Sequence, residues 1–507
     1  MVQDAKQKST HKTKGHIPQR YVLGVMGFLA VANAYVMRNV LNLAITEMVV
    51  THHKKDIVID QDSCPGPLPE IKNHTDSANE FNWDEGTQGK ILSSFYWGYV
   101  ITHLPGGIIA ERYGGKHVLG YGILCTAVGT ILTPFAARQS PYWLIVIRFM
   151  EGLGEGTTFP ALNTLLAQWT PPLERGKIGS LVFAGNQIGI VFSSTLSGFI
   201  LEDTKLEWPA LFYLFGSITI IWFIGWMLLC YSDPASHPFI SVEEKNYLKN
   251  TIGHLERNKN LPPVPWKQML FSIPLWALII GQIGHDWGLF MIQSDLPKYM
   301  KSVLKFSVLE NGILSSLPFL IMWLVAILAG WLSDFLVAKN VFTLTTIRKI
   351  FITIASVGPA SGVIAASYAG CDRTAVVILF CLGMAFMGFF YPSLKVNALD
   401  LSPNYAGTLM ALVNGIGATS GGITPLIVGL IATNSTMMEW RKIFWITFGV
   451  IVLTNIIYNF FGSGEIQPWN DTIVATEEET IKWGTTAENV KCTEENSNVE
   501  LTFTVPD

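Results

Sequence analysis

The sequence predicts an all-α membrane protein in which twelve transmembrane helices form two six-helix halves around a central cavity. Three observations carry this. Half of the 507 residues are hydrophobic, only 14% are charged and the mean hydropathy is +0.36, whereas a soluble domain carries about 25% charge. Twelve apolar stretches reach the roughly twenty residues that a hydrocarbon core of about 30 Å requires. A polar break over 232–272 divides them six and six, an organisation that suggests two halves packed around a central cavity.

The elements follow in order. Residues 1–20 are a polar, basic tail running straight into the first span, so no cleavable signal peptide is expected. The N-terminal half, 21–231, holds the stretches Tyr21 to Met48, Lys90 to Ala110, His117 to Ala136, Tyr142 to Leu166, Ile178 to Ile200 and Pro209 to Tyr231, with a long outer loop at 50–89. The C-terminal half, 273–462, holds Ile273 to Asp295, Gly312 to Leu332, Ile347 to Ala369, Val376 to Val396, Ala406 to Ile431 and Ile443 to Phe461. Residues 463–507 are acidic, lack apolar periodicity and are expected to be disordered.

Basic residues set the orientation. The tail carries Lys6, Lys8, Lys12, Lys14 and Arg20, and the break carries Lys245, Lys249, Arg257, Lys259 and Lys267, so both are expected in the cytoplasm. An even number of spans puts the C terminus there too. The sequons at Asn73 and Asn434 then fall on outer loops as candidate glycosylation sites, while the one at Asn470 falls inside and is expected to be a decoy. Cys64 and Cys371 also lie on outer loops, where a disulfide is chemically permitted; bridge and free thiols both remain open.

Several function classes are excluded. The net charge is −4 and the basic residues are scattered, which gives no footprint for nucleic acid. Six cysteines make neither a disulfide scaffold nor a metal-ligand spacing. No glycine-rich phosphate loop follows a strand and no nucleophile has a visible base, so an enzyme, a resident metal or a cofactor is not expected.

The chain reads PGGIIAERYGGK over 105–116, after span two, and AGWLSDFL over 329–336, after span eight. Glycines let helix ends approach closely, and Glu111 or Asp334 can pair with a cation or a helix N-terminus. Gly107, Glu111, Arg112, Gly115, Lys116 and Asp334 are therefore candidate conformational-switch positions.

The charged residues inside spans carry the functional signal. RFMEGLGEGTTFP, 148–160, places Arg148, Glu151 and Glu155 within roughly 60° on one face of span four. Each charge at a helix centre costs about 2.5–3.5 kcal/mol on insertion scales, so that face lines a cavity or a partner helix. Arg148 and one glutamate can form an internal pair. The second glutamate is left without a counter-charge, the property a reversible proton carrier needs. Arg38 in span one has no acid in its own helix; it either pairs with a distant acid such as Glu151 or awaits an anionic substrate. His285 and Asp286 in span seven, and Tyr99 one turn before His103 in span two, are further cavity candidates.

The 105–116 stretch resembles the G-G-x-x-A-D-R-x-G-x-K loop of the major facilitator superfamily, with Glu111 in place of its aspartate. From Tyr21 to Trp469 the chain resembles the anion transporter family of sialin, the vesicular glutamate transporters and the type I sodium-dependent phosphate cotransporters. The resemblance rests on WDEGTQGKILSSFYWGYVITHLPGG, RFMEGLGEGTTFPALNTLLAQWTPPLERGKIGSLVFAGNQIG, LPKYMKSVLKFSVLENGILSSLPFL, NALDLSPNYAGTLMALVNGIGATSGGITP and GSGEIQPWN. It implies alternating-access transport of organic or inorganic anions. By this likeness Arg148 and Glu155 match essential span-four residues, Glu151 matches the additional acid of sialin, and Arg38 matches the arginine that holds the substrate carboxylate. Tyr99 matches a cavity tyrosine, and His285 stands where the glutamate transporters place an arginine. Asn163 replaces a histidine of sialin, Leu92 a histidine of the glutamate transporters, His103 a more usual glutamine, and Val40 an expected asparagine. These departures surround the cavity and leave the substrate unassigned.

The expected function is a monomeric symporter of a small anion, inorganic phosphate or a carboxylate such as sialate, glutamate or urate. H+ or Na+ serves as coupling ion. Arg38, Tyr99, His285 and Arg148 hold the anion, while Glu151, Glu155 and Arg148 exchange partners. A facilitator of a neutral solute, or a receptor that keeps the fold without flux, are the alternatives. The N-terminal tail shows no acidic dileucine signal like that of sialin, which points to the plasma membrane.

Overall fold

A computed structural model describes residues 18–49, 64, 80–203, 206–252 and 264–470. Among them twelve helical rods run in sequence. The first six are Gln19–Met48, Glu85–Tyr113, Gly115–Gln139, span four in two pieces (Pro141–Glu155 and Thr158–Trp169), Pro172–Asp203 and Pro209–Leu229. The second six are Ile273–Ser302, Val308–Ala338, Leu344–Tyr368, span ten (Arg373–Met387 continuing to Leu401), span eleven (Ala406–Gly417 and Thr419–Ile431) and Met437–Phe461. Nine of these segments are long and apolar enough to cross a membrane. Most spans are longer than the apolar stretches suggested, because polar ends remain helical beyond the hydrocarbon limit; span six ends at Leu229, short of Tyr231, and span eleven keeps the bounds Ala406 and Ile431.

Local chemistry starts and stops the rods. Asp84 accepts from the Thr87 N–H at the head of span two, and Ser307 with Glu310, and Thr436 with Glu439, form capping boxes on spans eight and twelve. Gly114, at φ 91°, reverses the chain from span two into span three with no intervening loop. Span ten passes through one 3-10 turn and a π turn, Tyr391–Lys395, behind Pro392, an irregularity that frequently marks functional positions.

In lipid, helices associate through close van der Waals packing more than through hydrophobic drive. Spans two and four show this at its limit. A Cβ on Gly152 would lie 1.9 Å from the Phe95 carbonyl oxygen. The glycines of MEGLGEG thus bring the two backbones into contact, with Arg148 over the Phe95 ring of span two and Glu151 turned toward Gly129 and Thr133 of span three.

The polar break contributes the helix Val242–Ile252, whose Glu244 accepts from the Gln19 N–H at 2.8 Å and pairs with Arg20 at 3.1 Å; Arg20 also holds Glu174 at 2.8 Å. We call this side of the bundle the linker end and the opposite side the distal end. At the distal end Lys298 meets Glu85 at 3.4 Å, Lys301 meets Glu47 at 2.5 Å, and Asn42 donates to the Gln293 carbonyl at 3.1 Å. Among the described residues, the ion pairs joining the first six spans to the last six all lie there.

Cys64 and Cys371 are joined by a disulfide with Cα atoms 5.3 Å apart, tying the first outer loop to the turn after span nine. Asn434 is exposed on the distal turn before span twelve, whereas Asn73 lies outside the described residues. Asn470 is buried at the linker end, where its side chain accepts from Ser402 at 2.7 Å. The expectation of a disordered tail from 463 needs correction. Gly464 donates to Thr345, Gln467 donates to the Leu401 carbonyl at 2.9 Å, and Trp469 is buried. The polar composition of 463–470 concealed a strap across the linker end; 471–507 lie outside the described residues.

Candidate functional site

The site grows from spans one, two and four. Arg38 donates from Nη2 to Glu155 Oε1 at 2.5 Å, with the two side chains 3% and 1% exposed. Arg148 donates to Glu151 Oε2 at 2.7 Å, one helical turn away, and to the Arg38 carbonyl at 3.4 Å. Thr133 of span three donates to Glu151 at 3.4 Å. Around Arg38 the rings of Tyr35, Phe95 and Tyr99 stand 4.5, 4.9 and 4.8 Å from the guanidinium, replacing water with π faces. Capacity remains unused: Arg38 Nε, Arg148 Nε and Glu155 Oε2 are buried without hydrogen-bond partners among the described residues, a condition that calls for a functional reason.

This geometry revises two expectations. Arg38 faces Glu155, not Glu151. Nor is either span-four glutamate left without a base, since two acids meet two bases across two helices. Angular reasoning on a single helix counts only its own charges, so the cation arriving from span one was not assigned to the acid it neutralises.

Tyr99 and His103 continue from Arg38 toward the second half, with ring centroids 5.1 Å apart, and the His103 ring approaches Gly415 of span eleven. His103 is buried with Nδ1 unpartnered. His285 does not point a free edge at Arg38; its ring stacks flat on Phe390 at 3.4 Å, with Nδ1 unpartnered. Asp286 accepts from Gln282 at 2.9 Å and packs against Gly417 at the break in span eleven. Asn163 is exposed and forms no hydrogen bond with the charged group.

The switch positions are mixed. Gly107 has ordinary room, but a Cβ on Gly115 would meet the Ala161 carbonyl at 2.7 Å, a close approach of span three to span four. Lys116 is buried with Nζ 3.9 Å from the Tyr231 ring centre, so it meets an aromatic face instead of an acid. Arg112 and Asp334 are exposed, and Asp334 forms no ion pair among the described residues. The side chain of Glu111 lies outside what the structure describes. The expected acid–cation pairing is therefore not made by Asp334 among the described residues.

Several charges inside spans are missed by sequence reasoning, among them Lys395, Asp295 and the Arg348–Asp400 pair at 2.8 Å between spans nine and ten. Lys395 ends the π turn of span ten, partly exposed, and donates to Asn414 Oδ1 at 2.8 Å. Asp295 in span seven is fully buried with both carboxylate oxygens unpartnered. Both sat at the drawn ends of apolar stretches and passed for flanking charges. The real helices run on to Leu401 and Ser302.

Twelve rods in two groups with paired charges between them define a multi-pass membrane transporter. The sequence matches the Major Facilitator Superfamily over residues 27–425. It is 39% identical to human sialin over 89% of this chain and 90% of that protein. A Drosophila melanogaster protein named "Putative inorganic phosphate cotransporter" is 38% identical over 92% of this chain and 90% of its own. Human vesicular glutamate transporter 2 is 34% identical over 91% of this chain and 77% of its own. A bacterial homolog of the human lysosomal transporter Spinster, solved inward-facing and occupied, superposes with a TM-score of 0.66 at 14% identity, covering 88% of this chain and 97% of that one. The chain belongs to the Major Facilitator Superfamily, in the group that includes sialin and the vesicular glutamate transporters.

Proposed function

We propose that the chain is a secondary active transporter of a small anion, inorganic phosphate or a carboxylate, driven by H+ or Na+. The observation that carries this reading is the buried Arg38–Glu155 pair between spans one and four. Arginine stays charged under all physiological conditions, so its partner must be a carboxylate or an incoming anion. A proton or sodium ion on Glu155 frees Arg38 to take the substrate, and departure of that ion restores the pair. Glu151 has the narrower task of holding Arg148 against the Arg38 backbone.

The distal ion pairs close the bundle on that side, which supports access to Arg38 from the linker end in this conformation. The alternating cycle then exchanges those pairs for contacts at the linker end. The Cys64–Cys371 disulfide supports an oxidising, non-cytoplasmic environment for the distal end, and exposed Asn434 is the glycosylation site on that face. We place the carrier in the plasma membrane, acting as a monomer with both termini cytoplasmic. Flux into proteoliposomes, with phosphate, sialate, glutamate and urate each supplied under imposed proton or sodium gradients, tests the reading. One of these anions accumulates under one gradient, and Arg38→Ala abolishes it; accumulation of none, or wild-type flux in Arg38→Ala, contradicts it.

A further inference from the structure

We propose that Lys395 is the second fixed cation of the transport site, contributed by the C-terminal half, and that with Arg38 it selects a substrate bearing two negative charges on oxygen. The inference rests on the anion-carrier reading above and deepens it.

Lys395 lies inside span ten, six residues before that helix ends at Leu401. An intramembrane lysine is expensive unless it is paired or meets a water-filled opening. Here no acid lies within 4.0 Å of it among the described residues; its one hydrogen bond goes to the neutral amide of Asn414. It also keeps partial solvent access. An ammonium without an acid partner, on a partly exposed residue, fits an aqueous opening, unlike Arg38, which is sealed against Glu155. The π turn behind Pro392 supports this, since the widened backbone turns the last residue of the irregular stretch out of the regular helical register.

Lys395 is connected to the N-terminal site. The His103 ring packs against Gly415, next to the Asn414 that Lys395 holds, and follows that of Tyr99, which faces Arg38. Gln187 of span five donates to Tyr391 at 2.8 Å, bridging the halves at the start of the same π turn. Asp286, whose carboxylate is engaged by Gln282 and pressed against Gly417, lies against the same stretch of span eleven that supplies Asn414. The N-terminal half thus carries two acid–base pairs in contact, Arg38 with Glu155 and Arg148 with Glu151, whereas Lys395 and Asp286 of the C-terminal half form no direct ion pair.

Direct contact, not net charge, sets the ligand class. Arg38, Arg148 and Lys395 balance Glu151, Glu155 and Asp286 in the empty site, and a coupling ion on Glu155 leaves one net positive charge, so a doubly charged anion is favoured by reaching both cations and not by neutrality. A singly charged anion on Arg38 leaves Lys395 without a direct anionic partner. A doubly charged oxyanion, hydrogen phosphate or a dicarboxylate, reaches both cations and spans the two halves.

The experiment is anion exchange by the full chain in proteoliposomes, with inorganic phosphate and succinate as doubly charged probes and lactate and gluconate as singly charged ones. Wild type exchanges a doubly charged probe with lower half-saturation than either singly charged one. Lys395→Gln raises that constant at least about tenfold, the loss expected of one charge-assisted contact, without moving the constants for lactate or gluconate; Lys395→Arg retains preference for two charges. Equal effects on all four probes, or none, overturn the proposal. A wild-type carrier that exchanges no anion overturns the anion reading as well, and the two failures are separated by whether wild type is active. Should Lys395→Gln not fold, amine labelling of wild type decides: phosphate or succinate slows modification of Lys395 at least fivefold while exposed Lys245 reacts unchanged, and absence of protection refutes the assignment.

Discussion

Replacing Glu155 with glutamine isolates the step on which the transport cycle depends. The substitution keeps the shape of the side chain and removes its charge from beside Arg38. Charge centres about 4 Å apart attract by about 4 kcal/mol at an effective dielectric of about 20, in line with the roughly 3–5 kcal/mol lost when one partner of a buried pair is removed. That energy is what an incoming anion must overcome to take Arg38 from Glu155. If it were recovered in full, anion affinity would rise by about three powers of ten. A glutamine carbonyl still accepts one hydrogen bond from Arg38, so the expected gain is smaller, at least about tenfold, or about 1.4 kcal/mol.

Two measurements separate affinity from coupling. In proteoliposomes without a gradient, Glu155→Gln should lower the half-saturation constant for anion exchange at least about tenfold. Under a proton or sodium gradient the same variant should fail to accumulate the anion, because the group that ties ion to substrate no longer carries a removable charge. Unchanged or weakened exchange affinity in a folded variant, or accumulation at the wild-type level, would refute the reasoning. The double variant Arg38→Gln with Glu155→Gln controls for stability: a neutral, hydrogen-bonding pair of similar volume is tolerated, yet it should exchange no anion.

Three further outcomes follow. Glu151→Gln strands Arg148 in a buried position and should lower the stability of the detergent-solubilised protein by about 3–5 kcal/mol, read as a fall in melting temperature, while the surviving protein still couples ion to anion; loss of coupling without loss of stability would reassign the residue. Gly152→Ala places a methyl group against the Phe95 carbonyl, a backbone obstacle that cannot rotate away. It should cost at least about 1–3 kcal/mol and slow transport by separating Glu155 from Arg38; unaltered melting and flux would show that the spans are not in contact there. Non-reducing digestion should yield a linked peptide pair containing Cys64 and Cys371, and Cys64→Ser should leave a Cys371 thiol open to an impermeant maleimide from outside intact cells; labelling only after permeabilisation would invert the orientation.

Much of this arrangement was legible in the sequence for a thermodynamic reason. Charges inside apolar stretches are costly, so Arg38, Arg148, Glu151 and Glu155 stood out as soon as the spans were drawn, and all four converge in the structure. What stayed hidden was the pairing. Helical angle fixes which face a residue occupies, but not which neighbouring helix meets that face. The glycines at 98, 152 and 156 were the available clue, because backbone contact between spans two and four leaves span one to approach from the remaining side. The breaks in spans ten and eleven were hidden for a related reason, since a π turn at 391–395 keeps the apolar composition of a regular helix.

Lys395 and Asp295 show where a composition threshold misleads. Each closed an apolar stretch, and a charge at a boundary needs no explanation when lysine and aspartate can reach the interface. Continuation of both helices changes the energetic question, because each charge must be stabilised within the span. The structure answers differently for the two. Asp295 is fully buried at the distal end, beside the Lys298–Glu85 pair that joins the halves. Lys395 keeps solvent access and a neutral hydrogen-bond partner. Opening the distal end requires Lys298 to leave Glu85, which would bring Asp295 into contact with water or with the released lysine. Closing the linker end would withdraw water from Lys395, which the bound anion would then replace. In the proposed cycle the same rocking motion exchanges the stabilising partners of one charge at each end, and a bound anion lowers the cost of closing the linker end over Lys395.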